Sequence, residues 1–229
     1  IYNFTVTIKL YIHKGGNFMN ITLPTQNLNT SGLHIRNGIL YLRHGESFQN
    51  VIYRLTYFMK GKNFCYYCKK KIPRNEISMD HMYPRSVGGP TIPQNLLPAC
   101  RRCNGSKSDM TYEQYMTLLS LNPFEADSYL SKITALKEGY KKIGSFQIPS
   151  DWITPVKTDN IHTNIDFANL VSTKYDKVKK YYETYGSFQY PIVLDRKNFS
   201  LDGFYVLFVA KSLDVEYIPA IVLDNVEMR

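Results

Sequence analysis

Two C-x2-C pairs, Cys65-Tyr-Tyr-Cys68 and Cys100-Arg-Arg-Cys103, hold thirty-one residues between them and use all four cysteines of the chain. No other feature limits the possible folds as strongly. Two residues between a pair of sulfurs let a tight turn aim both at one ion, and two such turns close a tetrahedron around it. In a reducing compartment this spacing reads as structural Zn²⁺ on Cys65, Cys68, Cys100 and Cys103, not as two disulfides. Such an ion clips together a module too small to hold itself. Tyr66 and Tyr67, inside the first turn, read as packing around the metal, with stacking on a base as the alternative.

The 229 residues carry a formal charge of +9, and where it sits matters more than its size. Residues 60–107 hold ten Lys/Arg against only Glu76 and Asp80, a local +8, whereas residues 1–59 give +4 and residues 108–229 give −3. The excess lies on the cysteine-bracketed segment, as a polyanion-binding surface requires. No run approaches the roughly 20 apolar residues of a membrane span. Ile1 to Leu10 alternates apolar and polar residues, unlike a secretory signal. The expected setting is the cytoplasm, for a soluble protein that is bacterial or phage-encoded, with no membrane partner.

Residues 1–18 have two readings. Lys14-Gly-Gly-Asn-Phe-Met19 is what a ribosome-binding site and start codon give when translated in frame, so Met19 is an expected native start; the alternative is an N-terminal strand from Phe4 to Ile12. Residues 20–38 are polar and aperiodic and read as loop. Ser47 reads as the N-cap of a helix carrying Phe48, Val51, Ile52, Leu55, Phe58 and Met59 at helical spacing up to Gly61. Thr111-Tyr-Glu-Gln114 reads as a capping box for a helix through Leu121. Asn122-Pro123 then breaks the chain before a helix over Ala126–Lys142.

Between the cysteine pairs lie Asp80-His81, Pro84-Arg85, Gly88-Gly89 and Asn95-Leu96, and Asn104 and Lys107 follow Cys103. Hydrolysing a phosphodiester needs a deprotonated water and charge relief for the leaving oxygen. A histidine titrates near neutral pH, which suits His81 as general base. Asp80 and Asn104 offer hard oxygens suited to Mg²⁺ or Mn²⁺. Arg85, Arg101, Arg102 and Lys107 are candidate phosphate contacts on DNA. His13, His34, His44 and His162 read as structural, and Lys69-Lys70-Lys71 as solvated surface.

The ordered run from Asp80-His81 to Asn104 and Lys107 strongly resembles the HNH endonucleases with the four-cysteine zinc addition, over about Phe64 to Ser108. The resemblance implies a ββα-metal fold and gives Asn95 the task of bracing the loop that orients His81. The third signature position is Asn104 where the name-giving form has His, which changes the expected ligand.

The last 70 residues alternate differently. Expected elements are strands over Ile161–Asp166, Pro191–Asp195 and Tyr217–Leu223, with helices over Lys174–Tyr185 and Phe204–Ser212, implying a small α/β domain. Phe188 to Asp195, Leu201-Asp202-Gly203 and Ile218 to Ile221 resemble the ParB N-terminal/sulfiredoxin-like fold. In that family the Asp-Gly pair opens a helix that meets a nucleotide phosphate. Here neither the following arginine nor a catalytic cysteine is present, which excludes sulfiredoxin chemistry and points to a degenerate module for partner binding or self-association.

The expected fold class is α+β: a ββα-metal nuclease module with structural zinc and flanking helices, then a small ParB-like α/β domain. The expected divisions are an extension over 1–38, the nuclease over 39–143, a linker over 144–159 and the α/β domain over 160–229. The expected activity is metal-dependent cleavage of double-stranded DNA with His81 as base and Asp80 and Asn104 on the metal. The alternative is a zinc-knuckle or regulatory protein that binds nucleic acid without cutting it.

Overall fold

The computed structural model describes residues 5–10, 19–24, 33–36, 39–43, 45–60, 63–143 and 148–228. His13, His44 and the Lys14–Phe18 stretch lie outside them. In chain order the elements begin with strands β1 (Thr5–Leu10), β2 (Met19–Pro24), β3 (His34–Arg36) and β4 (Ile39–Leu42), then helix α1 (Phe48–Lys60). Strands β5 (Ile77–His81) and β6 (Leu96–Cys100) lead into helices α2 (Arg101–Lys107), α3 (Tyr112–Ser120) and α4 (Pro123–Ile143). The remainder comprises β7 (Thr154–Lys157), α5 (Ser172–Tyr185), β8 (Ile192–Asp195), β9 (Ser200–Asp202), α6 (Phe204–Ser212), β10 (Tyr217–Leu223) and β11 (Val226–Met228). No helix among the described residues is long and apolar enough to cross a membrane.

The local signals act where their chemistry demands. Ser47 Oγ accepts from the Asn50 amide at 3.4 Å at the start of α1. Thr111 Oγ1 accepts from the Gln114 amide at 3.2 Å while the Gln114 side chain takes the Thr111 amide at 2.9 Å, a complete capping box for α3. Replacing Thr111 by Ala should cost about 1 kcal/mol, read as a lower urea midpoint at unchanged slope.

The C-terminal sheet has the order β7-β10-β8-β9, with β8 parallel to β10 and the outer strands antiparallel. Side chains alternate across a strand, so one strand can serve two cores. Ile192 and Leu194 of β8, with Ile218 and Ala220 of β10, face a core made with Val178, Val206, Leu207 and Val209 of α5 and α6. Val193 of β8, with Ile221 and Leu223 of β10, faces the other way. There they join Leu40, Leu42, Val51, Ile52, Leu55, Ile92, Leu96 and Val226. The sheet is covered on both faces, as near-continuous apolar strands require.

Strands also lie where a connector or loop was expected. Within the expected linker over 144–159, Thr154–Lys157 forms edge strand β7, paired with Tyr217–Ala220. Strand β11 pairs in parallel with β4 in the sheet β11-β4-β3, Val226 opposite Leu40. Residues 20–38 are not all loop, since they supply most of β2 and all of β3. Of the two readings of residues 1–18, a strand is present at Thr5–Leu10, paired antiparallel with Met19–Pro24. The strand expected over Ile161–Asp166 is reduced to one bridge, His162 to Phe199. Ile161 reaches the core, but the four residues after His162 pair with no strand among the described residues.

Candidate active site

A third, smaller core surrounds the cysteines: Cys65, Tyr67, Ile72, Ala99, Met110, Tyr115 and Ile133. The first pair sits in a tight turn closed by Cys65 N–H to Lys70 O at 2.9 Å and Lys69 N–H to Cys65 O at 3.0 Å. The second pair opens α2, where Cys100 Sγ caps the helix by accepting from the Cys103 amide at 3.4 Å. The four sulfurs lie within 4.8 Å of one another. A tetrahedron with metal–sulfur bonds of about 2.3 Å puts sulfurs about 3.8 Å apart, so this donor set fits one ion. The thiols are not equivalent. Burial alone would raise Cys65, but backbone N–H groups at Cys100 and Cys68 bring it down to about 7. Cys103 is pushed up to about 12 by burial and by its neighbouring sulfurs.

Strands β5 and β6 pair antiparallel with Asp80 opposite Leu97 and His81 opposite Leu96, and α2 follows β6 directly and packs on β5. Residues three apart on α2 share a face. Asn104 Nδ2 donates to Ser78 Oγ at 3.1 Å, and Lys107 Nζ donates to Asp80 Oδ1 at 3.1 Å and to the His81 carbonyl at 2.7 Å. Tyr67 donates its hydroxyl to Asp80 Oδ2. The Lys107 side chain is 0% exposed and that of Asp80 is 4% exposed. Burial raises the Asp80 carboxyl above its ordinary range, opposed by Tyr67 and Lys107, and burial lowers Lys107, opposed by Asp80.

His81 ends β5 on its own network. Its Nε2 is 3.0 Å from Thr91 Oγ1, and the same hydroxyl accepts from Arg85 Nη1 at 3.1 Å. Burial, then the charges of Arg85 and Lys107, lower the imidazole to about 4, so it is neutral at neutral pH. The loop after it is pinned by Asn95, which is fully buried. Asn95 Oδ1 accepts from the Tyr83 amide at 2.8 Å, its Nδ2 donates to Tyr83 O at 3.0 Å and Pro90 O at 2.8 Å, and its carbonyl accepts from the Met82 amide at 2.7 Å. Gly89 has no alternative in this loop, because a Cβ there would lie 1.7 Å from Tyr83 O.

Residues 65–117 match the HNH endonuclease family model. No curated protein matches the chain. Among solved structures, the C2221 form of a Pnob8-like ParB-N domain is similar at 18% identity with a TM-score of 0.28. The match covers 31% of this chain and 29% of that one, so the chain spans less than a third of that structure's length.

Within the HNH segment the candidate residues fall into separate clusters. Asp80 and Asn104 share the α2 side of β5, while His81 is held by the loop through Thr91. Lys107, expected on DNA, is instead sealed inside, because its ammonium neutralises a buried carboxylate. Arg85 is half-exposed, and its guanidinium bonds Thr91 and Asp202. Arg101 and Arg102 are exposed on α2, and Lys69, Lys70 and Lys71 are exposed after Cys68. Tyr67 packs edge-on against Tyr115 with ring centroids 5.1 Å apart, so it is internal and unavailable for base stacking. Thr91, Ser78 and the Tyr67 hydroxyl escape sequence reasoning. Each acts through one oxygen whose partner is set by loop and strand geometry, and no spacing rule marks them.

Proposed function

We propose that the HNH segment, built on a ββα-metal plan, hydrolyses phosphodiester bonds in double-stranded DNA with His81 as the general base. The reading rests on the imidazole held by Thr91 at the end of β5, before a loop that Asn95 braces from both ends. With Nε2–H given to Thr91 Oγ1, Nδ1 keeps its lone pair and takes a proton from water. The hydroxide formed attacks phosphorus as the P–O bond to the leaving oxygen breaks, and the departing oxygen takes a proton from solvent. Burial first, and then the cations Arg85 and Lys107, hold down the proton affinity of His81, and an anionic phosphate beside it opposes the cations' share. Exposed Arg101 and Arg102 supply nonspecific backbone contacts. Zn²⁺ on the four cysteines is structural, since four thiolates leave no open position.

The side chains do not fit a divalent ion at Asp80 and Asn104 as arranged. Both Asp80 oxygens are engaged, one by a lysine ammonium that would repel a second cation. A requirement for Mg²⁺ or Mn²⁺ therefore demands that Lys107 leave Asp80, and no step above depends on such an ion. The same sealing favours the second reading, a protein that binds DNA without cutting it.

Plasmid incubated with wild-type protein and with His81→Ala, at matched zinc content and with or without Mg²⁺, separates these readings. The expected result is a loss of about 10²–10⁴-fold in cleavage rate on removing the base. Equal nicking by both proteins would sink the assignment. Salt-sensitive binding with no cleavage would establish the second reading.

A further inference from the structure

The Asp202-Gly203 pair, which leads into α6, is turned toward the HNH segment. Asp202 Oδ2 lies 3.2 Å from Arg85 Nη1, and its other oxygen accepts the Gly203 amide at 2.8 Å. The position is rigidly set. Asp202 pairs with Val193 in the β8–β9 register, and Gly203 holds φ at +84° with a would-be Cβ 3.0 Å from Ile192 Cα. Gly88, Gly89 and Pro90 of the HNH loop lie across a narrow cleft from Tyr190, Pro191 and Gly203.

Arg85 Nη1 is also the atom that reaches Thr91 Oγ1, and Thr91 is the side chain that holds His81. A threonine oxygen has two lone pairs, so it can accept the guanidinium N–H and the imidazole N–H together. Thr91 is 1% exposed, which shuts bulk water out of this exchange. Four side chains thus connect β9 to the end of β5 without a gap longer than 3.2 Å.

We infer that Asp202 is a positioning residue for His81, acting from the C-terminal sheet through Arg85 and Thr91. This rests on the reading of His81 as the base. It also gives residues 160–229 a task inside the same chain: they set the orientation and tautomer of the imidazole. Without the carboxylate, Arg85 is free to swing toward solvent and Thr91 loses the donor that fixes its hydroxyl.

The test uses the full chain labelled with ¹⁵N-histidine and the variants Asp202→Ala, Arg85→Ala and the double variant. Asp202→Asn, which keeps an oxygen for the Gly203 amide and removes only the charge, guards against misfolding of the first. The expected signature is a change in the His81 ring ¹⁵N shifts in Asp202→Ala, partial in Asp202→Asn, and absent when Asp202→Ala is added to Arg85→Ala. Cleavage at saturating plasmid should fall roughly tenfold in Asp202→Ala, since small displacements of a base are costly, and KM should hold. Again, the double variant should be no slower than Arg85→Ala. Unchanged His81 shifts in Asp202→Ala, or independent additive effects in the double variant, would overturn the inference. If wild type cuts nothing, the base assignment fails, and the ¹⁵N shifts still decide whether Asp202 controls the ring.

Discussion

Replacing Cys100 or Cys103 by serine, or stripping the ion with a chelator, is expected to unfold the HNH segment and leave the C-terminal sheet standing. The core around the cysteines is small, and two of its seven fully buried residues are tyrosines whose hydroxyls need partners. Structural zinc in comparable modules contributes about 10–16 kcal/mol, more than the whole stability of many domains. Without the ion, the four sulfurs that lie within 4.8 Å of one another lose the centre that ties the two turns together. The core of Ile192, Leu194, Val206, Leu207 and Val209 contains no cysteine and has α5 and α6 over it. Limited proteolysis should therefore cut between residues 63 and 120 in the metal-free protein while a fragment holding β8 to β10 survives. The tyrosine signal in near-ultraviolet circular dichroism should fall, because Tyr67, Tyr112 and Tyr115 pack on one another. An unchanged protease map in Cys100→Ser would contradict the assignment of the cluster as the clamp.

The second large effect concerns Lys107. Replacement by methionine keeps the stem and removes the ammonium, leaving the Asp80 carboxylate buried with Tyr67 as its remaining side-chain partner. Breaking a buried pair in this way costs about 3–5 kcal/mol. Asp80→Asn added to Lys107→Met should recover much of that loss, since the buried charge goes with it. Urea denaturation of wild type, both single variants and the double variant forms the cycle. Independent, additive losses would show that the two groups do not interact. The pair also decides the metal question: if Mn²⁺ binds the Lys107→Met variant but not wild type, the lysine is what bars the ion.

The residues that announce themselves in the sequence do so through short-range chemistry. Ser47 caps α1 and Thr111 with Gln114 caps α3 because each bond spans three residues. The cysteine pairs converge because two-residue spacing makes each turn. Asn95 is marked by a resemblance, and its bonds to Tyr83 and Pro90 also stay within the loop. What could not be read is the set of long-range partners. Val226–Met228 is three residues long, too short for a period-two pattern, and nothing near it names Leu40–Leu42 as its neighbour. Thr154–Lys157 carries a proline that reads as linker, yet edge strands tolerate proline where no ladder hydrogen bond is needed. Lys107 carries no sequence mark separating a buried counter-ion from a phosphate contact. The difference is the depth of Asp80, which depends on how α2 lies against β5.

The parallel contact between β4 and β11 has a consequence for the order of assembly. Its two segments are separated by about four-fifths of the chain, so the pocket around Leu40 and Val226 stays open on the ribosome until residue 228 has emerged. Closing so wide a loop is slow and entropically expensive. A nascent chain that has already made its basic segment must therefore wait for β11 before α1 has a complete floor to rest on.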